Sequence, residues 1–526
     1  MNQAWFRGLV AVALVLGICF RFVNIDRKVY WHDEVYTSLR ISGYKGENVV
    51  EQVFDGRVIR PQDLLKYQRI SPEKNLADAM DALKKHPEHP PLYYIIARFW
   101  SQFWGQFGGS SVAGIRSLSA WISLLVFPSV YWLCWELFAE PLVGWIAIAL
   151  IAICPLYVLY AQEAREYSLW LLTILLSGAA LLRAMRLDSK RAWFLYFLTL
   201  VVSLYTSLFS TLVATAYSVW VLASEGFRWT RRVTTFAIAS LLAVLAFVPW
   251  VLVIFGNLSR MLVQTNWITV PRSLWYLIGS WELNISYIFI DFDASINIIL
   301  VPRIIVGLLI GISYTIYYLW RKESKRAAWF VIALIAIPAL ALILPDLILG
   351  GRRSTVARYF FPCYLGIQLA VAYLLADRIS ISRFSLGNRR NTWAPAVLGV
   401  LISAGVLSCG ISSQADTWWH KVARYRNPQA ARIINQTPRP LVISDNWDVN
   451  FGNLISISYL LEDKVRLQLV DRPQLPEIAS GFSDIFLFAP SPDLLLDIEK
   501  KPSLKIEPLP EVNFPIGRLK SMDGEF

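Results

Sequence analysis

From residue 4 onward the chain alternates between long apolar runs and short polar breaks, over most of its first 412 positions. A helix needs about 20 predominantly apolar residues to cross the hydrocarbon core of a bilayer. Runs of this kind predict spans at 4–23, 116–137, 141–159, 168–185, 193–206, 208–224, 234–254, 299–319, 327–344, 359–376 and 393–412, eleven in all. The pattern changes after residue 412. Beyond it, strand-like runs at 441–444, 465–470, 484–488 and 504–507 alternate with helical stretches near 454–461 and 492–500, which predicts a small α/β domain. The expected fold is an all-α polytopic membrane protein of about eleven transmembrane helices, residues 1–412, followed by a small α/β domain, residues 413–526.

One apolar stretch does not fit the count. Pro91–Gly105, led by two prolines and rich in aromatics, is short for a crossing and is expected as an amphipathic helix on the outer membrane surface. The segment 24–115 then becomes one large external loop.

Composition agrees with the pattern: 56% of the 526 residues are hydrophobic and 17% charged, against about a quarter charged in soluble domains. A soluble enzyme is excluded. The net charge of +12 comes almost wholly from four short stretches, 183–191, 225–232, 321–326 and 377–390. Under the positive-inside rule these are cytoplasmic loops, which puts the N-terminus inside, makes the C-terminal domain extracytoplasmic and leaves no charge to suggest a nucleic acid partner. The five cysteines form no CxxC pair, so no disulfide or zinc framework is expected. Gly8–Phe20 lacks a small-x-small cleavage site before Arg21 and is expected as a retained first helix.

Four polar groups fall on the outer side. Asp33 and Glu34 follow the first span; a carboxylate there could take the proton of an attacking hydroxyl, or Asp33 could cap a helix starting at Glu34. Glu88 and His89 precede Pro90 and Pro91; they could ligate a divalent metal, His89 could hold a phosphate, or both could be a solvated turn. Tyr160 to Tyr167 carries Gln162, Glu163, Arg165 and Glu166 where two spans meet; charges there are expensive unless paired or functional. Arg352, Arg353 and Arg358, beside Tyr359, stand outside against the charge trend, and arginines suit bidentate capture of phosphate or an external salt bridge. Together, an acid, an acid–imidazole pair, a mixed-charge corner and arginines at one membrane face suit a phosphorylated lipid substrate. A transporter would place its polar residues near the midplane on broken helices of related halves, and no such halves are visible.

At these residues the chain resembles the glycosyltransferase-C superfamily, specifically family 39, the protein O-mannosyltransferases and the aminoarabinose transferases of lipid A. The resemblance lies in Asp33-Glu34 after the first span, His89-Pro-Pro-Leu-Tyr-Tyr94, Tyr160-x-Gln-Glu-Ala-Arg-x-Tyr167 and Arg358-Tyr359, in order over residues 1–380. It implies an inverting membrane transferase, metal-assisted or metal-independent, that takes a sugar from a polyprenyl-phosphate donor to a lipid, glycan or protein acceptor outside a bacterial inner membrane.

The residues and the resemblance together give the expected roles. Asp33 is the expected base, with Glu34 its neighbour; Arg352, Arg353, Arg358 and His89 would bind the donor phosphate; Tyr359, Gln162, Glu163, Arg165 and Tyr167 would contact substrate; Glu88 and His89 would hold any metal. Aminoarabinose transferases often have lysine at the position of His89, and many relatives have a histidine near Thr206, where this chain has Ser207. Alternatives are a polysaccharide polymerase or ligase using a lipid diphosphate donor, and a lipid or sugar transporter.

Overall fold

The computed structural model describes residues 3–106, 112–292, 300–323, 325–384, 393–421, 426–447, 450–471, 477–509 and 516–521. The basic stretch 377–390 lies outside the described residues beyond 384. The chain forms two compact units, and their boundaries depart from the division expected at 412. The first unit comprises Met1–Val23, Lys84–Tyr93 and Arg116–Ser413, and the second Asn24–Leu83, Tyr94–Ile115 and Gln414–Phe526. Most of the loop 24–115 therefore belongs with the C-terminal residues rather than with the spans.

In the first unit, among the described residues, seven helices are long and apolar enough to cross a membrane, or eight if Pro141–Ala152 and Pro155–Ala161 make one bent span. They fall on eight of the eleven expected spans. Two of the others are the helices Lys190–Thr206 and Ser210–Ser224, of 17 and 15 residues. At 1.5 Å per residue these are about 25 and 22 Å long, against a hydrocarbon core of about 30 Å. Expected span 299–319 begins outside the described residues, and its helix, Leu300–Lys322, is not one of the seven.

The bent pair turns by 62°. Ile153 and Cys154 leave the first helix and Pro155 opens the second, a position where its missing N–H costs nothing. A break in an apolar setting strands the last carbonyls of the first helix. Buried Arg21 satisfies them: its guanidinium donates to the carbonyls of Ala152 at 2.6 Å and Ile151 at 3.3 Å, to its own helix at Gly17 (2.7 Å), and to Ser123 Oγ at 3.0 Å. Glycine is required at two contacts with this break, because a Cβ on Gly17 would lie 2.4 Å from the Ala152 carbonyl oxygen and one on Gly405 2.6 Å from that of Ile153.

The second unit is built on a six-stranded sheet. Its strands are β1 (Asp55–Ile59), β2 (Pro440–Asp445), β3 (Arg466–Val470), β4 (Asp484–Phe488), β5 (Leu504–Pro508) and β6 (Ile516–Ser521), in the order β1-β3-β2-β4-β6-β5. Strand β2 runs parallel to both neighbours and is buried at all six positions, as a central parallel strand must be. Leu441, Ile443, Ile485, Leu487 and Leu519 pack with Leu494 and Ile498 of the helix Pro492–Glu499. The helix Asn450–Ser458, buried along its whole length, packs on the helix His32–Ile41.

Four strands coincide with the expected runs, whereas β1 and β6 are additional. Strand β1 comes from the loop 24–115 and pairs antiparallel with β3, Val58 opposite Gln468 and Ile59 opposite Leu467. The helix Leu92–Gly105 has 14 residues, too short to cross. Its Arg98 is buried and donates to the carbonyl of Ile41 and, at 2.5 Å, to that of Lys74, tying together segments of the same loop.

Candidate functional site

The expected chemistry is divided between the two units. In the first, the corner between the helices Pro155–Ala161 and Tyr167–Leu187 buries Gln162, Glu163, Arg165 and Glu166. Burying charges costs several kcal/mol each, on the order of magnitude seen for desolvated ions, unless they are paired and hydrogen-bonded, so their partners define what the corner does. The Gln162 amide donates to the carbonyls of Phe20 (2.8 Å) and Val23 (3.0 Å), closing the end of the first helix. Its amide nitrogen is thereby committed to the fold.

Arg165 donates to Glu166 Oε1 at 3.1 Å and lies 3.4 Å from His89 Nδ1. His89 Nδ1 is 3.7 Å from Glu166 Oε1, and its Nε2 is 3.7 Å from Glu88 Oε1. His86 Nδ1 reaches the same Glu88 oxygen at 3.5 Å. Burial, the largest single influence, pushes the Glu166 carboxyl up, but Arg165 and His89 together outweigh it and hold it at about 2. The loop that carries Glu88 and His89 is anchored where the Trp250 indole donates to the Pro87 carbonyl at 3.1 Å.

Arg358 joins this corner through an aromatic ring. Its guanidinium carbon stands 5.8 Å from the centre of the Tyr167 ring, Arg165 stands 5.7 Å from the same ring, and Tyr359 flanks Arg358 at 5.6 Å. Tyr359 in turn packs on Phe209 at 4.3 Å, and Tyr167 on Tyr160 at 4.9 Å. The result is two guanidiniums and an imidazole among tyrosines, with carboxylates orienting the imidazole. Such an arrangement can bind an anion and carry a proton.

The other two arginines have different partners. Arg353 donates to Asp346 Oδ1 at 3.0 Å, and the other oxygen of this buried carboxylate accepts from the Ser354 N–H and hydroxyl, each at 2.7 Å. Arg352 lies over the Trp267 ring at 5.3 Å. The expected three-arginine cradle is thus distributed over three sets of partners, and Arg353 serves the loop.

In the second unit the helix His32–Ile41 begins after Trp31, two residues earlier than a cap at Asp33 would require. Fully buried Glu34 reaches back to accept from the Trp31 N–H at 3.0 Å. Asp33 lies half-buried in the same first turn. The adjacent acids are thereby separated into a capping residue and a reactive candidate.

Among the described residues no group of three or more His, Cys, Asp or Glu side chains is placed to hold a metal ion. Glu88 and His89 do not make such a set within their unit. Glu166 stands among the charges of the 160–167 corner but carries no role in the sequence pattern, and the sequence signal of His86 is its place two residues before Glu88.

No family model matches the sequence, and no curated protein matches it. Solved structures do. ArnT from Cupriavidus metallidurans in the apo state superposes with a TM-score of 0.56 at 15% identity, over 98% of both chains. The same protein bound to undecaprenyl phosphate gives 0.54 at 14%, over 99% of this chain and 98% of that one. The archaeal oligosaccharyltransferase AglB from Archaeoglobus fulgidus, in complex with an inhibitory peptide and a dolichol-phosphate, gives 0.51 at 13%, over 99% of this chain and 74% of that one. The chain shares the fold of these structures. The likeness extends to ArnT and AglB alike and does not single out family 39.

Proposed function

We propose that this protein is an inverting membrane glycosyltransferase that moves a sugar from a polyprenyl-phosphate donor to a lipid, glycan or protein acceptor on the outer face of a bacterial inner membrane. The observation that carries the reading is the corner of Arg165, His89 and Arg358 around Tyr167, in a fold that ArnT also adopts when bound to undecaprenyl phosphate. An acceptor hydroxyl oxygen attacks the anomeric carbon opposite the phosphate. The bond from that carbon to the phosphate oxygen breaks, its electron pair stays on the phosphate, and the configuration inverts. Preorganised guanidiniums aimed at the charge that develops on the leaving phosphate lower the barrier, and this is the role of Arg358 and Arg165. The hydroxyl proton goes to Asp33, whose place in the family-39-like sequence pattern supports it as the base.

The test is transfer from a labelled polyprenyl-monophosphate sugar by the purified protein. Turnover that Asp33→Asn abolishes supports the reading. Turnover only with a lipid diphosphate donor would instead identify a polymerase or ligase.

A further inference from the structure

The second unit contains a cavity of about 630 Å³ that the proposed chemistry does not use. Its size falls within the range of about 300–1,000 Å³ typical of small-molecule sites. It is lined by Ser101, Gln102 and Trp104 from the end of the helix Leu92–Gly105, by Gln68 and Ser71, and by the apolar Ile41 and Ile115.

Two features show that this is a prepared site. Gln68 is 8% exposed, and among the described residues neither its amide nitrogen nor its oxygen has a hydrogen-bond partner; the buried Ser101 hydroxyl is in the same condition. A buried amide with both ends unpaired destabilises the protein that carries it and is explained when something else pairs it. Trp104 is also held rigidly. It stacks on Trp100 at 6.1 Å and 18°, the Trp100 indole donates to the Gly114 carbonyl at 3.0 Å, and a Cβ on Gly114 would come within 2.3 Å of the Trp104 ring.

The lining also indicates the ligand. Among the described residues no carboxylate lines the cavity, and the one charged side chain, Arg69, is exposed. Amides, hydroxyls, an aromatic ring and apolar side chains suit a neutral polyhydroxyl compound, whose hydroxyls each donate and accept while its C–H face packs on the ring. We propose that this cavity binds a neutral saccharide of one to three rings, with the Gln68 amide bridging adjacent hydroxyls. If the proposed function holds, the saccharide belongs to the acceptor or product glycan; that use rests on the transferase reading, and the binding does not.

The experiment is saturation-transfer NMR on the full-length protein in detergent micelles, with lactose, chitobiose and maltotriose as probes. At least one should bind at millimolar or tighter Kd, and Gln68→Leu should weaken it at least tenfold. Because Leu removes an unpaired buried amide, the thermal midpoint of that variant should stay equal to wild type or rise; a fall would identify Gln68 as a structural residue and overturn the proposal. So would the absence of binding by all three probes, or binding that neither Gln68→Leu nor Ser101→Ala alters. Binding that depends on Gln68, in a protein that transfers no sugar from any polyprenyl-phosphate donor, would sink the proposed function and leave this site standing.

Discussion

Glu34 and Asp33 are neighbours in sequence with different physical burdens. Glu34→Gln keeps an oxygen for the Trp31 N–H and loses the charge at the helix N-terminus, so it should cost about 1 kcal/mol or less and retain measurable transfer. Asp33→Asn should abolish transfer with an unchanged thermal midpoint. Equal loss of turnover in the two variants at equal folded yield would remove the assignment of a single base. The arginines separate in the same way. Arg358→Lys should impair donor binding, because an ammonium lacks the planar fork, whereas Arg353→Met should act on stability by stranding buried Asp346, at about 3–5 kcal/mol. Wild-type donor affinity in Arg358→Lys would mean that the phosphate is held elsewhere, with His89 next.

Glu166 adds a pH dependence. Its folded carboxyl is held at about 2, below an unfolded value of about 4.3. The stability it contributes is therefore complete above the unfolded value and is lost as pH falls from there through the folded one. Between pH 6 and 3 the thermal midpoint of wild type should fall more steeply than that of Glu166→Gln, and parallel curves would refute the ion-pair account of this corner.

At the level of elements, the break at 153–154 depends on Arg21 for the carbonyls of Ile151 and Ala152. Arg21→Met fills similar volume and donates nothing, so those groups lose their partner in an apolar setting at about 1–3 kcal/mol each. The expected result is a clear loss of folded yield in detergent, measured by size-exclusion profile and thermal midpoint. A normal midpoint would show that another donor serves the break. The short helices Lys190–Thr206 and Ser210–Ser224 illustrate the limit of reading spans from hydropathy: apolar composition is a local property, but whether a helix is long enough to cross depends on where turns such as Ser207–Phe209 interrupt it.

For the whole molecule, the second unit takes β1 from the loop and the remaining strands from the C-terminal residues. A fragment of 414–526 alone would expose the open edge of β3 and the face of Asn450–Ser458 that meets His32–Ile41. It should be aggregation-prone or poorly protected in hydrogen exchange, and a well-dispersed, protected fragment would contradict the composite unit. Apolar runs, strand-like alternation and the polar groups at 33–34, 88–89, 160–167 and 352–359 were visible without coordinates, because burial in lipid or in a sheet dictates residue type over a few neighbouring positions. Strand β1 was not. Its five residues, Asp55 to Ile59, are a short mix of polar and apolar types with three of them exposed, and its partner lies some 410 positions away, where no local pattern reaches. The partners of the charges also belong to tertiary structure: Arg353 meets Asp346, Arg358 and Arg165 share the Tyr167 ring, and Glu34 rather than Asp33 caps its helix. Sequence supplies each charge, but the cost of burying it is met by whichever groups the folded chain brings within about 4 Å, and only the packed structure determines those.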